Sequence, residues 1–125
     1  ITAAKVTIAG GSIGANGIIK GHDFLSFSNS ANTKYASVRL GGEPIAYPAG
    51  LSSQVSARRE YWMYNRGAED DNLIQTYVYI GLTTGQPTLA SINTAVDQPV
   101  VYALYIAAAT DFLILNSAAL SSENT

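Results

Sequence analysis

Residues 88–115 read TLASINTAVDQPVVYALYIAAATDFLIL, and whether this stretch is helical or extended decides the fold. Two periodicities compete in it. Leu89, Ile92 and Val96 recur at helical spacing, as do Val101, Leu104, Tyr105 and Ala108. The alanines at 107–109 are strong helix formers. Against this, Val100, Tyr102, Leu104 and Ile106 alternate as in a strand, and β-branched residues are frequent. Pro87 suits the first turn of a helix, with Thr84 or Gln86 as its cap. Pro99, after Asp97 and Gln98, suits a second start. The spacing therefore predicts one or two helices over 87–116, with a fraying tail at 117–125.

Upstream the pattern is extended. Lys5 to Ile8 alternates and meets Gly10-Gly11, a strand and a turn. A short strand at 12–14, a hairpin turn at Asn16-Gly17 and a returning strand at 18–20 follow. Residues 22–28 form a further strand and 29–32 a polar turn. In KYASVRL, residues 34–40, Ala36, Val38 and Leu40 point one way, and Tyr35, Ser37 and Arg39 the other. Residues 41–50 read as a loop rich in glycine and proline, 53–65 as a long central strand and 67–72 as an acidic turn. Residues 73–82 give the clearest strand, with Ile74, Val78, Ile80 and Leu82 on its apolar side and Gln75, Tyr77 and Tyr79 opposite. Strands followed by helices define an α+β domain: an antiparallel meander of about five to seven strands, then C-terminal helices on one face. The whole chain is one domain, with strands over 1–83 and a helical half over 87–116.

Composition narrows the function. Charged residues make up 13 % of the 125, against about 25 % in typical soluble domains. A surface this poor in charge favours assembly. Cysteine is absent, which excludes disulfides, thiolate zinc sites and thiol catalysis. No P-loop, nucleophile elbow or metal-ligand spacing occurs. His22 and Asp23 are adjacent, so in a strand they face opposite ways and make no dyad. An enzyme is not expected, nor a cofactor or a resident metal. The carboxylates of 69–71 would hold calcium only if another loop completed the shell, so a solvated acidic loop is the expectation. The longest apolar run, 99–109, is too short to span a bilayer as a helix.

Charge is divided along the chain. Residues 1–66 carry seven cations against three anions, a net +4, while 67–125 carry six anions and no cation, a net −6. The stretch SARREYWMYNRG, residues 56–67, sets Arg58, Arg59 and Arg66 among Tyr61, Trp62 and Tyr64. Placed in one sheet, the rows Tyr35-Ser37-Arg39 and Gln75-Tyr77-Tyr79 would make a face of cations, hydroxyls and rings suited to unpaired RNA.

The size, an opening hairpin around 8–19, the strands KYASVRL and SARREYWMYNRG, and LIQTYVYIGL leading into TLASINTAVDQPVVYALYIAAATDFLILN together resemble the coat proteins of single-stranded RNA bacteriophages. The resemblance is architectural and covers most of the chain. It implies a virion coat subunit, assembled in the host cytoplasm, that forms an icosahedral shell and packages single-stranded RNA. It implies an RNA-facing sheet bearing Tyr35, Ser37, Arg39, Arg58, Gln75, Tyr77 and Tyr79. It further implies an interleaved dimer locked by the C-terminal helices, through Leu89, Ile92, Val96, Val101, Leu104 and Tyr105. Two other classes fit the composition. One is an extracellular β-rich filament or adhesive subunit, in which Val100 to Ile106 is a strand, donated to a neighbour in one version. The other is a carbohydrate-binding module with Trp62, Tyr61 and Tyr64 as its platform.

Overall fold

The computed structural model describes residues 1–46, 51, 55–78, 83–84 and 88–124, with the backbone alone at 77, 78, 83 and 84. It is an all-β sandwich of two antiparallel sheets, and no helix occurs among the described residues. The strands are β1 Thr2–Ile8, β2 Ile18–Phe27, β3 Lys34–Leu40, β4 Glu43–Ala46, β5 Ser56–Asn65, β6 Asn72–Val78, β7 Thr83–Thr84, β8 Thr88–Ala90, β9 Gln98–Ile106 and β10 Leu113–Glu123. The smaller sheet runs β1-β9-β3-β4; the larger runs β10-β2-β5-β6-β7, with β8 also on β6.

The α+β expectation is thus overturned, and the C-terminal helices with it. The cause is burial. In β9 the alternation sends Val100 and Tyr102 inward, at 0 % and 5 % exposure, between β1 and β3. Burying one such side chain is worth about 1.5–3 kcal/mol, whereas helix propensities differ by at most about 0.7 kcal/mol per ordinary residue. The alanine run 107–109 lies in the turn after β9. Residues 117–123, read as tail, continue β10 along the full length of β2. Pro99 pairs opposite Thr7 of β1 within β9, and its carbonyl accepts from Gly41 N–H at 3.0 Å.

Two turns also differ from expectation. The strand at 12–14 and the hairpin at Asn16-Gly17 are absent, and β2 begins at Ile18 with partners β5 and β10. Gly17 is required for close approach: a Cβ there would lie 1.8 Å from the Ile13 carbonyl oxygen. The tight hairpin is instead β3–β4, turned by Gly41 and Gly42 at φ 57° and 86°. Both angles are positive, as a type I′ turn demands. The strands expected at 18–20 and 22–28 are one strand, β2.

The core fills the space between the sheets: Ile13, Ile19, Val38, Leu40, Ile45, Met63, Ile74 and Val100 in one cluster, Leu25, Phe27, Ala36 and Leu51 in another. Buried polar groups in it are partnered. Asp23 of β2 and Arg59 of β5 sit directly opposite, buried, with Nε–Oδ1 at 2.9 Å and Nη2–Oδ2 at 2.6 Å. Arg59 Nη1 also donates to the Ala36 carbonyl of β3, tying the two sheets together. Lys34, fully buried, donates to the Ser30 carbonyl, Ser30 Oγ and the Asn32 carbonyl, and so closes the β2–β3 loop on itself. Ser28 and Ser30 hydroxyls both donate to Asp111 at 2.9 Å. Desolvation pushes the Asp111 carboxyl up, but bonds from Ser30, Ser28 and Asn32, with the Lys34 charge, outweigh it and hold the group below its usual range.

The Tyr61 and Tyr102 hydroxyls meet at 2.9 Å across the sandwich. Burial, reinforced by this bond, raises the Tyr61 phenol far above its ordinary value; burial raises Tyr102 as well, with the bond from Tyr61 acting the other way. In the unfolded chain both ionise near pH 10. The folded state holds Tyr61 neutral, so its contribution is fully present below about pH 10 and is lost as pH rises above it, by about 1.4 kcal/mol per pH unit, and Tyr102 acts in the same direction. Urea midpoints measured up to about pH 12 should fall steeply from about pH 10, and the double variant Tyr61→Phe, Tyr102→Phe should flatten that limb.

Candidate functional site

The sandwich has two outer surfaces, and the residues expected to share one RNA-facing sheet are divided between them. Tyr35, Ser37 and Arg39 lie on the outer side of the smaller sheet. There Tyr35 stacks on Tyr105 at 4.6 Å between centroids, Ser37 is buried at 6 %, and Arg39 donates to the Gly42 carbonyl. Arg58 and Gln75 lie on the opposite surface, on β5 and β6. The backbone of Tyr77 lies in β6 opposite Glu60, and Tyr79 is outside the described residues.

The six residues expected at a helical dimer interface do not share a face either. Ile92 is in the core, Leu89 and Val96 are exposed on β8 and in the following turn, and Val101, Leu104 and Tyr105 belong to β9. Ile80 and Leu82, read on the apolar side of β6, fall outside the described residues.

Folding also offsets part of the division of charge. Lys20 reaches Glu123 at 3.0 Å, Arg66 reaches Asp71 at 2.8 Å, Arg58 reaches Glu60 at 2.6 Å and Arg59 reaches Asp23. Two of these pairs join the basic half to the acidic half. The acidic turn is therefore engaged: Asp71 takes Arg66, and the Glu69 carbonyl accepts from Thr94 N–H and Oγ1. Among the described residues no group of three His, Asp or Glu side chains is placed to hold a metal.

Two features of the surface stand out. The first is the flank where β1 and β10 end their sheets. Because β4 packs over β5 and β6 while β9 reaches β10, these two edges border the same side of the sandwich. Six of the seven residues of β1 are exposed. Val6, Phe112 and Ile114 add apolar surface here, at 46 %, 50 % and 49 % exposure. β10 is eleven residues long and carries a single charge, Glu123 at its end, tied to Lys20. A long neutral edge of this kind presents unpaired backbone groups to another strand, and natural edges are usually blunted by lysine, proline or bulges. β10 has one such device, a bulge between Leu115 and Ser117.

The second feature is a shallow trough of about 450 Å³ on the outer side of the larger sheet, lined by Lys20, His22, Glu60, Trp62, Ala119 and Ser121 among others. Its floor is the small-residue row of β10; its wall is the row of large side chains on β2 and β5. Both features depend on β10, which the sequence reading divided between helix and tail.

No family model, no curated protein and no solved structure matches the chain. No helix among the described residues is long and apolar enough to cross a membrane.

Proposed function

We propose that this chain is a structural subunit that assembles with copies of itself, joined through the edge strand β10. The observation that carries the reading is that edge: eleven residues, neutral until Glu123, next to the exposed strand β1 and the uncovered Val6, Phe112 and Ile114. Adding a strand to an open sheet edge satisfies its backbone groups and buries apolar side chains in the same step. Low charge content, 13 %, supports it, since little like-charge repulsion opposes association.

The proposal keeps self-assembly and leaves out both the interleaved helical dimer and packaged RNA. The RNA-facing candidates whose side chains are described lie on two opposite surfaces, and Arg58 among them is already paired with Glu60. β9 is not the joining strand, because it is the second strand of its sheet with a neighbour on each side.

Sedimentation of the full chain over a range of concentrations tests this. The wild type should associate as concentration rises, and electron microscopy of the product distinguishes filament from closed shell. Ser117→Lys with Ser122→Lys, both at exposed positions on β10 and outside the trough lining, should leave a folded monomer at the same concentrations. A wild type that stays monomeric, or a double variant that associates equally well, would contradict the proposal.

A further inference from the structure

The trough beside β10 is a binding site of its own, and we infer that its ligand is a neutral, hydroxyl-rich saccharide. Register places Lys20 opposite both Ser121 and Trp62, and His22 opposite both Ala119 and Glu60. Alternation then sends all six side chains to the same outer face. On β10 that row is small, Ala119 and Ser121; on β2 and β5 it is large. The step between them makes the trough, whose 450 Å³ lies within the usual range of about 300–1,000 Å³ for small-molecule sites.

The chemistry selects the ligand. Trp62, half-buried in the wall, offers a flat apolar ring, and Gln75 stands opposite it on β6. The His22 imidazole, the Glu60 carboxylate and the Ser121 hydroxyl line the trough with that ring. Together these fit a molecule with an apolar face and a rim of hydroxyls. Charge argues against a polyanion: the two cations nearest the trough, Lys20 and Arg58, are paired with Glu123 and Glu60. A neutral ligand does not have to break those pairs, whereas phosphate contacts need cations to give. The site is open to solvent, as an internal segment of a long chain requires. It is independent of the assembly proposal, since it uses the face of β10 and not its edge.

Trp62 is the single tryptophan of the chain, so its emission reports on the trough directly. Cello-, xylo-, manno- and laminari-hexaose would be titrated separately into the full chain at up to millimolar concentration, with poly(U) as the polyanion probe. At least one hexaose should shift Trp62 emission saturably, and poly(U) should not. Ala119→Phe, which fills the floor while leaving Trp62 in place, should weaken that binding about tenfold or more. Trp62→Ala, followed by calorimetry, should do the same, with unchanged circular dichroism in both variants. The inference is overturned if no hexaose shifts the emission, if poly(U) alone does, or if folded Ala119→Phe binds like the wild type.

Discussion

Replacing Asp23 with alanine should cost about 3–5 kcal/mol of stability, because it strands the Arg59 guanidinium in a dry interior. Both side chains are essentially unexposed, at 0 % and 1 %. The geometry is bidentate, and the third guanidinium nitrogen is taken by the Ala36 carbonyl. Desolvating the two ions is costly, and their mutual attraction repays it only while both are present. Removing one partner therefore leaves a large uncompensated term. Replacing both by apolar residues of similar volume, Asp23→Leu with Arg59→Met, should be nearly neutral by comparison. Urea denaturation of the single and double variants measures this. A single-variant loss below about 1 kcal/mol would place the pair with ordinary surface ion pairs and contradict its role in holding Arg59 for its bond to the smaller sheet.

Asn72→Leu should cost about 3 kcal/mol, the second largest loss expected. The Asn72 side chain acts as a piece of backbone. Its Oδ1 accepts from Ile92 N–H at 2.6 Å, and its Nδ2 donates to the Ile92 carbonyl and to Asn65 Oδ1. Asn65 in turn donates to the Gly14 carbonyl and to Thr94 Oγ1. This buried chain of amides fastens the 91–97 segment and the 9–17 loop to the end of the larger sheet. Leucine is near in size but removes every one of those partners at once, and each buried group left unpaired costs about 1–3 kcal/mol. Asn116→Ala, at an exposed residue bonded to Ser26 Oγ, should change stability by no more than about 0.5 kcal/mol and serves as the control. Equal losses at the two positions in chemical denaturation would refute the distinction.

The strands of the first half were legible because their alternation is local. In KYASVRL the inward row Ala36, Val38 and Leu40 is the buried row. The second half misled because Leu89, Ile92 and Val96 do recur at helical spacing, yet only Ile92 is buried. The competing alternation of Val100 and Tyr102 wins through a sheet contributed by residues sixty or more positions away, β3 on one side and β1 on the other. The Arg59–Asp23 pair has a signal in the sequence. One cation sits in the row of Tyr61 and Met63, and one carboxylate in the row of Ile19, Leu25 and Phe27. Opposite charges, each on an otherwise apolar row, are what a buried pair looks like in sequence. The trough had no such signal, because its floor is β10, and Ser117 to Glu123 is mostly small and polar with no strong alternation. The division of charge pointed to a polyanion, but in the fold Lys20 and Arg66 find their partners on the acidic half.

Hydrogen exchange compared between dilute and concentrated protein tests the central proposal most directly. If β10 is the joining strand, amides within 113–123 should gain protection on association, while those of β3 and β5, already inside their sheets, should change little. Association that leaves the amides of β10 exchanging as they do in the monomer would contradict it.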